Sequence, residues 1–222
     1  DISCQAIRKE FRHSAEPTFM FAVFKKELRA YFTTPIGYVY TGIFLAASAL
    51  ICCMTTLQRA SYDTTSYFQY MIFSFIVLIP LLTMRLFSEE RKTKTEQLLL
   101  TAPITIAGMV MGKYLAALSL FVATVLVSCI NFFPLFSYAV VEASSAVGGA
   151  HVGPVGGQLV GCLIGVILIG AAFIAVGLFI SSLTESQLSA AVITIAVIVV
   201  MVLIGIFNSY IGSTFLRTVL DW

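Results

Sequence analysis

Charged side chains are scarce in this sequence. Asp, Glu, Lys and Arg make up 11% of the 222 residues, whereas a soluble domain carries about 25%. This scarcity excludes a soluble globular enzyme, a disordered tail and a nucleic-acid-binding protein, because so few charges cannot cover a water-facing surface. Hydrophobic residues make up 59% of the chain, and the mean hydropathy is +0.98. The composition therefore indicates an integral membrane protein.

Groups that carry enzyme chemistry are also rare. The two histidines, His13 and His151, are predicted to lie on opposite faces of the membrane, and the five cysteines include no C-x-x-C pair. In the Gly112-Lys113 region, Ala107 and Tyr114 stand where a nucleotide-binding loop needs Gly and then Ser or Thr. We therefore predict no catalytic, cofactor-binding or metal-binding site, and no enzyme activity, in this chain.

Long uncharged stretches dominate what is present. Each exceeds the roughly 20 residues that an α-helix needs to cross about 30 Å of hydrocarbon. The stretches are continuously apolar, whereas the strands of a membrane barrel alternate over about 10 residues. The sequence predicts an all-α polytopic helical bundle with spans near residues 36–57, 68–85, 113–134, 158–181 and 187–207.

The basic residues are divided unevenly between the two sides of the membrane. Six precede the first span and five lie between the second and third, so eleven of the thirteen Lys and Arg residues fall on one side. By the positive-inside rule that side, with the N-terminus, is cytoplasmic. Five spans then place Trp222 on the outer face just past a span, and we expect that a last span is missing from this sequence.

The residues ahead of the first span divide into two parts. Residues 1–18 are either a cytoplasmic arm or an extension ahead of a natural start at Met20. Residues 19–32 place aromatic residues and leucine at helical spacing with cations between them, which predicts an amphipathic helix in the cytoplasmic interface. A plain extension of the first span is the alternative. The predicted interface residues are Phe21, Phe24, Lys25, Lys26, Leu28 and Arg29.

The segment between the second and third spans joins a dense charge cluster to a leucine block. Ser88 can cap a helix whose first turn contains Glu89 and Glu90, which places acid at the positive helix end. Leu98, Leu99 and Leu100 follow ahead of Pro103. This pattern predicts a docking helix for a cytoplasmic partner, because a solvated loop would not need three leucines.

Small and mildly polar residues lie inside the predicted spans. Thr124, Ser128 and Asn131 share one face of the third span, where they bond to a neighbouring helix or line a path. Gly161 and Gly165 form G-x-x-x-G in the fourth span, and Gly170 and nearby alanines continue this small-residue surface, which permits close helix approach within the chain or in a dimer. Apart from Arg85 near one cytoplasmic end, no ionisable group is predicted inside a span, which weighs against a secondary carrier coupled to ions or protons.

Three of these segments resemble ABC type-2 permeases, the membrane subunits of bacterial exporters related to the gliding-motility and nitrous-oxide-reductase maturation permeases. The acidic and basic string from Glu89 to Pro103 is the most specific of the three. The segment from Lys25 to Pro35 and the turn from Gly177 to Gln187 are also similar to the family. The resemblance implies a permease domain over residues 19–222, in a family that usually has six spans.

The resemblance also implies a division of labour in the bacterial cytoplasmic membrane. Two permease subunits, identical or paralogous, would form the path of an ATP-driven exporter, and each would rest on a separate ATPase subunit that holds ATP and Mg²⁺. It implies ATPase-coupling roles for Glu89, Glu90, Arg91, Thr95, Glu96, Leu98 and Leu99, with Thr184 and Glu185 as a second, smaller contact.

Two other functions remain open at this point. A similar permease can support the maturation or assembly of an extracytoplasmic protein, and a secondary carrier is the third possibility. A copurifying ATPase separates the first two functions from the carrier. The sequence does not identify the cargo.

Overall fold

The structure, a computed structural model, describes residues 20–57, 64–84, 86, 106–133, 156–184 and 186–211. A first helix, α1, covers residues 20–33. Five helices long and apolar enough to cross a membrane follow it. This confirms the predicted all-α class with five spans. The five are α2 (Pro35–Cys52, extended by a π-helical turn over Cys53–Leu57), α3 (Thr64–Thr83), α4 (Ile106–Ser128, extended by a 3-10 turn over Cys129–Phe132), α5 (Gly156–Leu183) and α6 (Gln187–Ile211).

The third span begins earlier than the sequence predicts. We expected it near residue 113, because the uncharged stretch starts at Tyr114. Instead α4 begins at Ile106, so Lys113 lies about two turns inside the helix. The prediction that Arg85 is the one ionisable residue inside a span is therefore wrong. A cation does not end this span because Lys113 has a carboxylate and a carbonyl oxygen as partners.

The bundle has two ends, at each of which helix starts and helix ends lie together, because successive spans run in opposite directions. At the end we call proximal, Glu27 of α1 contacts Lys113 near the start of α4, and Gly177 near the end of α5 packs on Thr83 at the end of α3. At the opposite, distal end, the rings of Tyr67 in α3 and Phe132 after α4 lie 4.8 Å apart.

An aromatic cluster joins three of the spans. Phe44 of α2, Phe75 of α3 and Phe121 of α4 are fully buried. The ring centroids of Phe75 and Phe121 are 5.2 Å apart in an edge-to-face arrangement, and those of Phe44 and Phe75 are 6.3 Å apart. Both separations lie in the favourable range for aromatic pairs. The helix α3 also contacts α5 and α6, which places it at the centre of the bundle.

Two glycines let α5 approach its neighbours closely. A Cβ atom at Gly170 would collide with the buried ring of Phe121, and one at Gly177 would collide with the hydroxyl of Thr83 and lie 3.0 Å from its Cβ. A Cβ atom at Gly161 or Gly165 would meet nothing within 4 Å. The G-x-x-x-G pair is therefore not the surface on which α5 packs within the described chain; that surface lies about one to three turns beyond Gly165.

Asn131 links two spans through a side-chain hydrogen bond. Its amide nitrogen Nδ2 donates to the hydroxyl of Ser48 in α2 at 2.7 Å. This confirms the prediction of helix-to-helix bonding for Asn131. The hydroxyls of Thr124 and Ser128 instead donate to carbonyls of their own helix, those of Phe121 and Val125.

Candidate coupling site

The predicted docking helix falls outside the described residues. So do the predicted coupling residues Glu89, Glu90, Arg91, Thr95, Glu96, Leu98, Leu99 and Glu185. The structure nevertheless describes the residues on both sides of this segment, because Leu86 precedes it and α4 begins at Ile106. The candidate site is therefore built from the helix ends around residues 87–105.

The helix α1 lies beside the start of α4. The side chain of Val23 in α1 is buried. A Cβ atom placed at Gly112 of α4 would lie 3.0 Å from Val23 Cγ1 and 3.2 Å from the carbonyl oxygen of Met20. A residue with a Cβ atom at this position would need its neighbours to shift by a few tenths of an ångström, which glycine avoids. The two helices thus contact each other closely one residue before Lys113.

The predicted interface residues of α1 divide by exposure. Phe21, Lys25, Lys26 and Arg29 are exposed, whereas Phe24 and Leu28 are half-buried. The rings of Phe21 and Phe24 lie 6.0 Å apart. The exposed residues include all three cations, so α1 presents a basic surface away from the bundle. Its position in a membrane interface stays a prediction.

A sharp corner separates α1 from the first span. Thr34 has an extended backbone (φ −92°, ψ 143°) ahead of Pro35 at the start of α2, as expected for a residue before proline. The hydroxyl of Thr33 donates to the Arg29 carbonyl at 2.9 Å, and that of Thr34 donates to the Ala30 carbonyl. At Gly37 a Cβ atom would collide with the Tyr31 carbonyl. The chain therefore turns tightly here, and α1 is not a straight extension of the first span.

Lys113 is the buried charge of this region. Its side chain is 1% exposed. The ammonium nitrogen Nζ donates to the Leu86 carbonyl at 2.7 Å and lies 3.4 Å from Oε1 of Glu27. A buried charge is tolerated when it is paired and hydrogen-bonded, and both conditions are met here. Glu27 is 15% exposed, and its carboxylate also lies 3.7 Å from the ammonium of Lys26.

The stretch after α3 is held in place up to Leu86. The Met84 amide donates to the Pro80 carbonyl at 2.9 Å, and the Leu86 amide donates to the Thr83 carbonyl at 3.2 Å. The Leu86 side chain is buried in the core, while its carbonyl accepts from Lys113. The chain therefore enters the undescribed segment from a fixed point on α4.

The turn between α5 and α6 is the second predicted contact. The Thr184 hydroxyl donates to the Ile180 carbonyl at 3.0 Å and so extends the end of α5. The Ser186 hydroxyl accepts from the Ser189 amide at 3.1 Å, which is the arrangement of a helix N-cap. Three residues thus connect the two spans, in a tight turn as the sequence predicts.

The structure brings together residues that sequence reasoning missed. These residues are Glu27, Gly112 and Lys113. Glu27 is far from the other two in the chain, and we assigned none of the three a role from the sequence. The available signal was a lysine with seven mostly apolar residues on either side, since an ionisable residue within a span is expected to have a partner. Its partner could not be read from the sequence, because Glu27 lies 86 positions away.

Outside this region the structure shows an apolar groove at the distal end. It has a volume of about 390 Å³ and is lined by Leu50, Ile51, Met54, Thr55 and Tyr70. In the described part of the chain, no three His, Cys, Asp or Glu side chains are grouped so that they could hold a metal ion.

Comparison with known proteins places the chain among transporters. The family model described as ABC-2 family transporter protein matches residues 51–219, which is more than half of the 222 residues. The matched region contains α3 to α6 and the whole segment that carries the charge cluster. The match does not single out the gliding-motility or nitrous-oxide-reductase groups. No curated protein and no solved structure matches the chain.

Proposed function

Because the chain belongs to the ABC-2 family of transporter proteins, we propose that it is the membrane permease subunit of an ATP-driven exporter. A separate ABC ATPase subunit hydrolyses ATP and holds the nucleotide and Mg²⁺. This chain supplies the membrane path together with a second permease subunit, either an identical copy or a paralogue. It has no enzymatic step of its own.

The family match over residues 51–219 carries this proposal. The proposal is supported by the membrane-spanning helices of the described residues and by the failure of the Gly112-Lys113 region to fit a nucleotide-binding loop. A chain with a permease's spans and no such loop requires its energy from a partner. The charge cluster and leucine block between α3 and α4 are the segment we assign to that contact.

We assign the proximal end to the cytoplasm. The cations Lys25, Lys26, Arg29 and Lys113 all lie at this end among the described residues, and cytoplasmic segments carry the excess of Lys and Arg in membrane proteins. This orientation places the segment 87–105 and the turn at Thr184 on the side where ATP is available. In bacteria the membrane concerned is the cytoplasmic membrane.

Coupling then requires a membrane unit with two states. Closure of the ATPase dimer moves the segment between α3 and α4, and this movement favours one arrangement of the spans over the other. The work is done by the partner, and the permease responds through its proximal end.

The first experiment measures assembly and movement together. The five cysteines are replaced by alanine, Met54→Cys and Val160→Cys are introduced at exposed distal positions of α2 and α5, and spin labels are attached to them. The complex is extracted mildly with the ATPase that copurifies. The label-to-label distance, measured by pulsed electron resonance without nucleotide and with trapped ADP and vanadate, is expected to change.

The second experiment removes the proposed contact. The double substitution Glu89→Ala and Glu90→Ala is expected to leave the ATPase hydrolysing ATP but to abolish the distance change, because hydrolysis is no longer transmitted. Gln97→Ala, in the same segment but not among the predicted coupling residues, is the control and should behave like the parent protein. Absence of a copurifying ATPase, or an unchanged response of the double variant, would contradict the proposal.

A further inference from the structure

We propose that Lys113 is a positioning residue for coupling, which fastens α1 and the segment after α3 to α4 so that all three move as one body. This inference rests on the proposed function. It adds that Lys113 transmits the movement of the segment 87–105 to α4 through its buried ammonium group.

Both ends of the segment 87–105 converge on α4 near this group. The N-terminal end follows Leu86, whose carbonyl accepts the 2.7 Å hydrogen bond from Lys113. The C-terminal end enters α4 at Ile106, seven residues before Lys113, or about 10 Å along the helix. Both points at which the chain leaves and re-enters the described structure are therefore tied to α4. The hydrogen bond from Lys113 adds a polar tie to the covalent link with α3 and to the packing of the Leu86 side chain in the core.

The same ammonium group fixes α1. Glu27 lies 3.4 Å from Lys113 Nζ, and Val23, one turn earlier, lies against Gly112. A charged contact and a close steric contact on adjacent residues of α4 define both the position and the rotation of α1. The helix α1 and the start of the segment assigned to the ATPase contact are therefore both held by Lys113.

The burial of Lys113 makes this joint rigid. A surface ion pair exchanges with water and contributes little, but Lys113 is 1% exposed and donates to a backbone carbonyl as well as to a carboxylate. A backbone carbonyl has no rotamers, so this bond holds the chain itself in place. Methionine at this position would keep the length and apolar stem of lysine and remove the ammonium group.

The test uses the labelled complex with its ATPase. Lys113→Met is expected to retain the bound ATPase and its ATP hydrolysis but to lose most of the nucleotide-dependent distance change between positions 54 and 160. Lys113→Arg, which restores a cationic donor, should recover the change. Met111→Ala, two residues away and exposed, is the control for altering α4 and should respond like the parent.

The outcomes separate this inference from the proposed function. A parent complex without an ATPase, or without a distance change, refutes the proposed function itself. A parent complex that responds normally while Lys113→Met responds equally well leaves the proposed function standing and overturns the role of Lys113. Failure of Lys113→Arg to recover the change would also overturn it, since a charge-dependent joint requires rescue by a cation.

A second construction decides the case if Lys113→Met does not accumulate in the membrane. The Cβ of Val23 lies 3.1 Å from the position of a Cβ at Gly112, so a shift of about 0.4 Å would bring the pair into the range of roughly 3.5–4.5 Å found in disulfides. Val23→Cys with Gly112→Cys can therefore be oxidised to lock α1 to α4. If the two helices already move as one body, the oxidised complex keeps its full distance change. Loss of the change on oxidation, with recovery on reduction, would show that they must separate and would refute the inference.

Discussion

The amide group of Asn131 is the polar side chain through which α4 reaches α2 at the distal end. Its hydrogen bond to the Ser48 hydroxyl, at 2.7 Å, joins residues 83 positions apart. Such bonds between membrane helices contribute about 0.6 kcal/mol on average and at most about 1.7 kcal/mol. We expect Asn131→Ala to lower the free energy of unfolding in mixed detergent micelles by about 1 kcal/mol.

A double-mutant cycle isolates this bond. Ser48→Ala removes the acceptor, so the double variant should lose less stability than the sum of the two single losses, with a coupling energy of about 0.6 kcal/mol. Ser119→Ala is the control, because the Ser119 hydroxyl donates to Ala116 of its own helix. A coupling energy of zero would show that Asn131 stabilises the protein in some other way.

At this scale the sequence was informative for Asn131 and uninformative for the buried charge. A polar side chain within an apolar run needs a partner, so the bonding of Asn131 could be predicted without knowing that Ser48 would accept. The role of Lys113 could not be predicted, because it depends on the Leu86 carbonyl and on Glu27 of a separate helix. No local pattern encodes which backbone carbonyl will lie beside a lysine.

The element that depends most on small residues is α5. Gly177→Ala would place a Cβ 3.0 Å from the Cβ of Thr83 and closer still to its hydroxyl oxygen. Thr83 is buried and its hydroxyl donates to the Ile79 carbonyl, so it cannot easily move. We expect the overpacking to lower the free energy of unfolding by about 1–3 kcal/mol, measured in mixed detergent micelles.

Gly165→Ala is the matched control on the same helix. A Cβ at this position meets nothing within 4 Å, and alanine is favoured over glycine in a helix by about 0.5–1 kcal/mol. The substitution should therefore be neutral or mildly stabilising for the single chain. If Gly165→Ala destabilised the protein as much as Gly177→Ala, the packing of α5 described above would be incorrect.

The number and type of the spans could be predicted, but the start of α4 could not. Five apolar runs longer than 20 residues leave no alternative to helices. Their limits were drawn at charges, however, and this rule fails where a charge is compensated inside the bundle. The small-residue surface predicted for α5 included Gly161, Gly165 and Gly170, but its spacing could not show which of these glycines pack within the chain. The structure places Gly170 in close contact, and Gly177, outside that predicted surface, packs closely as well.

For the molecule as a whole, orientation is the property to be tested. In a protein without its native cysteines, we expect Gly156→Cys at the distal start of α5 to react with a membrane-impermeant maleimide added to intact cells. Thr33→Cys, exposed at the proximal end, should react only after the membrane is permeabilised. The reason is that the cations cluster at the proximal end, which the positive-inside rule places in the cytoplasm.

The two variants control each other, since each should give the opposite labelling pattern. If Thr33→Cys reacted in intact cells and Gly156→Cys did not, the assigned orientation would be wrong. The segment 87–105 would then face away from ATP, and the proposed coupling could not operate.

The length of α5 has a geometric consequence for the outer surface. Its 28 residues form a rod about 42 Å long, which equals the thickness of the bilayer including its headgroups. Pivoting such a rod by about 10° around the turn at Thr184 would sweep its far tip sideways by roughly 7 Å. A modest rotation at the proximal end would thus be magnified into a large displacement at the distal end, without any bending of the helix.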